Sequence, residues 1–79
     1  MVTRFIKLKS VSSVKEFSTT AGSCDFNINL TLGRYMVDAK SIMGILSLDL
    51  SKPLIFSAEC GEDEPNLRQF EKFFVASQN

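Results

Sequence analysis

"CDFNINLTLGRYMVDAKSIMGILSL", Cys24 to Leu48, is the stretch on which the fold turns. Its first part alternates strictly. Phe26, Ile28, Leu30 and Leu32 fall on one face, and Asp25, Asn27, Asn29 and Thr31 on the other. A period of two is the mark of a strand with one covered and one wet face. Gly33 supplies a turn, and "RYMVDA" returns as a hairpin partner, with Tyr35 and Val37 inward and Met36 toward the open face. Ser41 then precedes the apolar run "IMGILSL", a short helix for which it is a suitable N-cap. Ile45 and Leu48 can face inward there, while Ile42, Met43 and Leu46 lie on another arc. Gly44 is the anomaly, since glycine costs about 1 kcal/mol against alanine inside a helix. Its presence asks for a close approach by a partner or an adjacent loop.

The flanks extend the same logic. "TRFIKLK" alternates and reads as a first strand at residues 2–8, with Phe5 and either Ile6 or Leu8 toward the core. Val11, Val14, Phe17 and Ala21 recur at spacings of three and four, one apolar helical face capped by Ser10 or Ser12 and ended by Gly22. "KPLIFSAE" is a fourth strand with Leu54, Phe56 and Ala58 on one face. In the last segment Asp63 or Glu64 can cap a helix, Pro65 suits its first turn, and Leu67, Phe70, Phe73 and Phe74 form its buried stripe. The order is β-α-β-β-α-β-α. Helices over one face of a four-stranded antiparallel sheet make an α+β two-layer fold, a single domain over residues 1–79.

Composition excludes several functions. Nine basic and nine acidic side chains give zero net charge, which argues against a nucleic-acid binder. No apolar run approaches the length of a membrane span, and "MVTRFIKLKS" lacks the apolar core of a signal peptide, so a soluble cytoplasmic protein is expected. Cys24 and Cys60 are the only cysteines and there is no histidine. Two ligands cannot build a zinc site within the chain, and reduced thiols are the expected state. With no histidine, metal cluster or phosphate-cradling glycine loop, neither a catalytic centre nor a cofactor is expected, and the chain does not read as an enzyme.

The hairpin "NINLTLGRYMV" followed by "KSIMGILSL" resembles the HPr family, the small phosphocarriers of the sugar phosphotransferase system. In that family a Lys-Ser-Ile-Met-Gly run opens the second helix. The resemblance implies an open-faced sandwich with sheet order 1-4-2-3 and three helices on one face. It breaks at the first helix, where the family carries a Gly-Ile-His-Ala-Arg-Pro type run whose histidine takes a phosphoryl group from enzyme I and passes it to permeases. The corresponding stretch here is "KLKSVSSVKEF", Lys7 to Phe17, with no His, Arg or Pro. An ungapped alignment through the rest sets Ser10 near the histidine's place, whereas the connection into the helix is shorter by about four residues, which counts against that placement. A serine hydroxyl lacks imidazole's nucleophilicity near neutral pH and its high-energy N–P bond. The phosphocarrier activity is therefore expected to be absent.

What remains of the family's equipment is Ser41. In Gram-positive members the serine of this run is phosphorylated by HPr kinase/phosphorylase, turning HPr toward gene control through a transcriptional regulator. By resemblance Ser41 is a candidate regulatory phosphosite, and Ile42, Met43 and Leu46 a candidate partner-docking patch. The family includes catabolite-repression HPr proteins that lack the histidine and keep the serine. Against this stand plainer readings: Ser41 as a cap only, and the three apolar side chains packed under the Lys52–Pro53 loop. A fold-retaining small-ligand or enzyme-associated domain is the alternative function. A redox role would need Cys24 and Cys60 at the same end of neighbouring strands and within about 7 Å. A monomer or weak homodimer is expected, and exposure of Met36 or Phe73 would favour the dimer.

Overall fold

The structure is a computed structural model, and it describes residues 1–76. Strand β1 (Val2–Ile6) leads to helix α1 (Val11–Gly22), then β2 (Ile28–Leu32), β3 (Tyr35–Asp38), a short helix α2 (Ile42–Leu46) and β4 (Leu54–Ala58). A 3-10 helix (Pro65–Phe73) and a two-residue strand β5 (Phe74–Val75) complete the described chain. All strand pairs are antiparallel, and the sheet order is β3-β2-β4-β1-β5. The expected order 1-4-2-3 stands for the first four strands. The expected strand count does not, because β5 adds a fifth strand on the outer side of β1.

Alternation places the core as the sequence implies. Ile28 and Leu30 of β2, Leu54, Phe56 and Ala58 of β4, and Val2 and Ile6 of β1 are buried on the helix-covered face. The opposite face carries Asn29, Thr31, Ser57 and the exposed Met36. Helix α1 supplies Val14, Phe17, Ser18 and Ala21 to the core. Phe17 meets Phe56, Phe70 and Phe73 edge-on, with ring centroids 5.4 to 6.2 Å apart. Such pairs contribute about 0.5–1.5 kcal/mol each beyond their buried area.

Several expectations are corrected. The last helix is 3-10, and the spacing explains it. Leu67, Phe70 and Phe73, the buried residues, recur every three positions, the period at which 3-10 side chains eclipse. Glu64 caps it, accepting from the Asn66 amide at 3.1 Å. Phe74 is not part of that stripe: it opens β5 opposite Ile6 and packs against Phe56 at 5.4 Å. Strand β1 ends at Ile6, although Leu8 is buried; Phe5 is only half-buried. Val11, in the first turn of α1, is 55% exposed. Tyr35 is 66% exposed, because it follows a turn at the end of the hairpin, beyond the cover of the helices. That turn is a two-residue loop, Gly33-Arg34, with Gly33 at φ 61°. Only its first central residue has a positive φ, the II′ arrangement that suits the twist of a hairpin.

Candidate functional site

Two helix starts matter here: that of α1, where the resemblance would put a histidine, and that of α2. Between Ile6 and Val11 there are only the four residues Lys7 to Ser10. Ser10 is extended at φ −156°, ψ 167°, and its Oγ accepts from the Ser13 amide at 3.1 Å. The same hydroxyl donates to Ser13 Oγ at 3.2 Å. Lys7 is turned away, its Nζ donating to the Ser51 carbonyl at 2.6 Å. None of the hydrogen bonds at Ser10 goes to a base that could take its proton. Ser10 is a helix cap.

Ser41 is a cap of the same kind in different surroundings. At φ −99°, ψ 103°, its Oγ accepts from the Gly44 amide at 3.1 Å, and its carbonyl accepts from the Ile45 amide at 3.0 Å. Asp38 holds the approach. Its Oδ1 accepts from the Lys40 amide at 2.8 Å and its carbonyl from the Ser41 amide at 3.0 Å. This is an Asx-turn feeding an N-cap, and its signal in the sequence is the aspartate two residues ahead of Lys40. Asp38, Lys40 and Ser41 are all exposed.

Gly44 has a spatial reason. A Cβ added there would lie 3.2 Å from Ser41 Oγ and 3.3 Å from Val37 Cβ. The close approach is by the cap and by β3, both within this chain. The candidate patch beyond it divides. Ile42 is half-buried and packs on the core, while Met43 is 79% and Leu46 39% exposed. Ile45 is fully buried and Leu48 nearly so. Met43 and Leu46 are therefore open on the surface and not sealed beneath the Lys52–Pro53 loop. That loop is fixed elsewhere, by the Lys7 contact to Ser51 and by Asp49, whose Oδ1 accepts from the Ser51 amide at 3.1 Å and hydroxyl at 2.6 Å. These bonds from Ser51 hold the Asp49 carboxyl below its ordinary pKa.

Cys24 and Cys60 flank the start of β2 and the end of β4, which is the same end of an antiparallel pair. Both are free thiols, Cys24 buried and Cys60 half-buried. Burial pushes both thiols up from their ordinary pKa, so they stay protonated and poorly nucleophilic at neutral pH. Among the described residues no group of three His, Cys, Asp or Glu side chains could hold a metal ion. No helix among them is long and apolar enough to cross a membrane. Phe73 is 5% exposed, which removes it as an association surface; Met36, at 65%, keeps that property.

No family model matches the sequence, and no curated protein does. Among solved structures, the crystal structure of HPr-C-His from Thermoanaerobacter tengcongensis is similar, with 32% identity and a TM-score of 0.71. The match covers 90% of this chain and 85% of that one.

Proposed function

This chain belongs to the HPr family, and from that premise we propose that it is a histidine-less regulatory member, switched at Ser41 and docking protein partners through Met43, Leu46 and the outer edge of Ile42. The observation that carries the reading is the joint exposure of Ser41, the N-cap of α2, and of Met43 and Leu46 on that short helix. A chain without a single histidine cannot hold the family's phosphohistidine, so what it offers a partner is this surface.

The chemistry of the switch is local. HPr kinase/phosphorylase, with ATP, would transfer the terminal phosphoryl group to Ser41 Oγ. An O–P bond forms, ADP leaves, and the hydroxyl proton passes to a base of the kinase. Helix α2 has five residues, so its macrodipole is small, and the stabilisation comes from first-turn amides. The Gly44 amide already points at the Ser41 oxygen, and phosphate oxygens accept such bonds strongly. Lys40 adds a neighbouring positive charge. The dianion beside Met43 and Leu46 changes the patch from apolar to mixed, which selects among partners such as a transcriptional regulator.

The test is the intact mass after incubation with HPr kinase/phosphorylase and ATP. A gain of one phosphate in the parent and none in Ser41→Ala supports the reading. An unchanged parent, with the same kinase active on a histidine-bearing HPr, overturns it.

A further inference from the structure

Strand β3 lies at one edge of the sheet. Its ladder pairs Leu30 with Val37 and Leu32 with Tyr35, and just past it the Ala39 amide donates to the Ile28 carbonyl at 2.9 Å. Hydrogen-bonded and non-hydrogen-bonded pairs alternate along an antiparallel ladder. Val37 and Tyr35 therefore direct their backbone groups toward β2. The amide and carbonyl of Met36 and the amide of Asp38 point outward. Among the described residues no strand pairs with that edge. Proteins normally protect such an edge with very short strands, charged side chains, proline, a bulge or a covering segment. Here the strand is short and the charges Arg34 and Asp38 are of opposite sign. Strand β3 has no proline, and Tyr35 and Met36 on it are about two-thirds exposed.

The charges on this edge are arranged symmetrically. Met36 and Asp38 share the open face of the sheet with Arg34, which stands in the turn just ahead of the strand. Arg34 and Asp38 lie two residues to either side of Met36. Pairing β3 with a second copy of itself, antiparallel about a two-fold axis at Met36, sets Met36 opposite Met36 and Tyr35 opposite Val37. It also sets Arg34 opposite Asp38, twice over. Opposite charges facing across a strand pair are favourable, whereas a parallel pairing would face like with like. An isologous two-fold contact needs this self-complementarity.

We propose that the chain self-associates through its β3 edge, with a second copy as the occupant, joining two five-stranded sheets into one continuous sheet. A strand of four residues makes a small contact, in the class below about 1,200 Å² that supports weak association. The dimer is accordingly concentration-dependent.

Sedimentation velocity from micromolar to millimolar concentration tests this, with circular dichroism melts to verify that each variant is folded. The wild type is expected to approach twice the monomer mass. Arg34→Glu alone and Asp38→Lys alone should each remain monomeric, because each sets like charges opposite one another in its own dimer. An equimolar mixture of the two should associate again, since both cross-strand pairs regain opposite signs. Met36→Pro, which removes an outward amide and no ladder bond, should also be monomeric. A wild type at monomer mass at millimolar concentration would overturn the proposal. So would association that survives Arg34→Glu and Met36→Pro, or a mixture that stays monomeric.

Discussion

The starts of α1 and α2 use one device to different ends. Ser10 and Ser41 each accept from the amide three residues on, both at 3.1 Å. As caps they are equivalent. Around Ser10 lie Lys9, Ser12 and Ser13, and the helix behind it sends Val14, Phe17, Ser18 and Ala21 into the core. Around Ser41 lie exposed Met43 and Leu46, and only Ile45 of α2 is buried. A helix that anchors the domain and a helix that displays a surface can thus share a capping serine. What separates them is the direction in which their apolar side chains point. The chain has no histidine to place at the first start, and the second displays Met43 and Leu46.

The comparison breaks most severely in the core. Phe17→Ala removes a ring that meets three others and is expected to cost about 3–5 kcal/mol in urea denaturation. Met43→Asp and Leu46→Asp should stay within about 0.5 kcal/mol of the parent, as surface changes do, while abolishing capture of a partner that the parent retains. If these two aspartates destabilise the fold as Phe17→Ala does, α2 is an anchor too and the contrast is lost.

Removing the caps sharpens the contrast. Ser10→Ala and Ser41→Ala are each expected to lower stability by about 1 kcal/mol. Phosphate uptake should vanish only in the second. Gly44→Ala should fail to give the gain of about 1 kcal/mol that an alanine normally brings to a helix interior. Its Cβ would crowd Ser41 Oγ and Val37 Cβ, and a thermal melt above the parent's would show that the crowding relaxes at no cost.

The smallest effect lies away from both helices. Arg4 donates to Glu62 at 2.5 Å and 3.4 Å, and this hydrogen bond holds the Glu62 carboxyl below its ordinary pKa. A depressed carboxylate stabilises the fold above the unfolded-state pKa, and that contribution disappears as pH falls through the folded value. The pair is largely exposed, so Glu62→Gln should reduce the slope of stability against pH only slightly in the acid range. A slope unchanged in Glu62→Gln would mean that the pair does not form in solution.

How far the sequence carried can be judged residue by residue. The strict alternation from Phe26 to Leu32 located β2 and its faces, because a strand with one wet side leaves no other pattern. The cap at Ser41 and the inward placement of Ile45 and Leu48 were legible for the same kind of local reason. Sheet order was not local. It came from the resemblance, since pairing is decided between segments far apart in the chain. Strand β5 was hidden because Phe74, four residues after Phe70, fits the spacing of an α-helical stripe with Leu67 and Phe73, and two residues are too few to show a period. Tyr35 looked inward by alternation, yet the helices end before they reach it. Gly44 was recognisable as an anomaly, but its cause, Val37 and the Ser41 hydroxyl above it, exists only in three dimensions.

The central claim is that phosphoryl chemistry has left the α1 start and has its acceptor at the α2 start. The most direct measurement is fragment-mass mapping of the chain after two separate incubations. One uses HPr kinase/phosphorylase with ATP, and the other uses enzyme I already carrying its phosphoryl group. The account predicts a single phosphate on Ser41 in the first and none anywhere in the second. A phosphate on Ser10, Ser12 or Ser13, or any transfer from enzyme I, would contradict it.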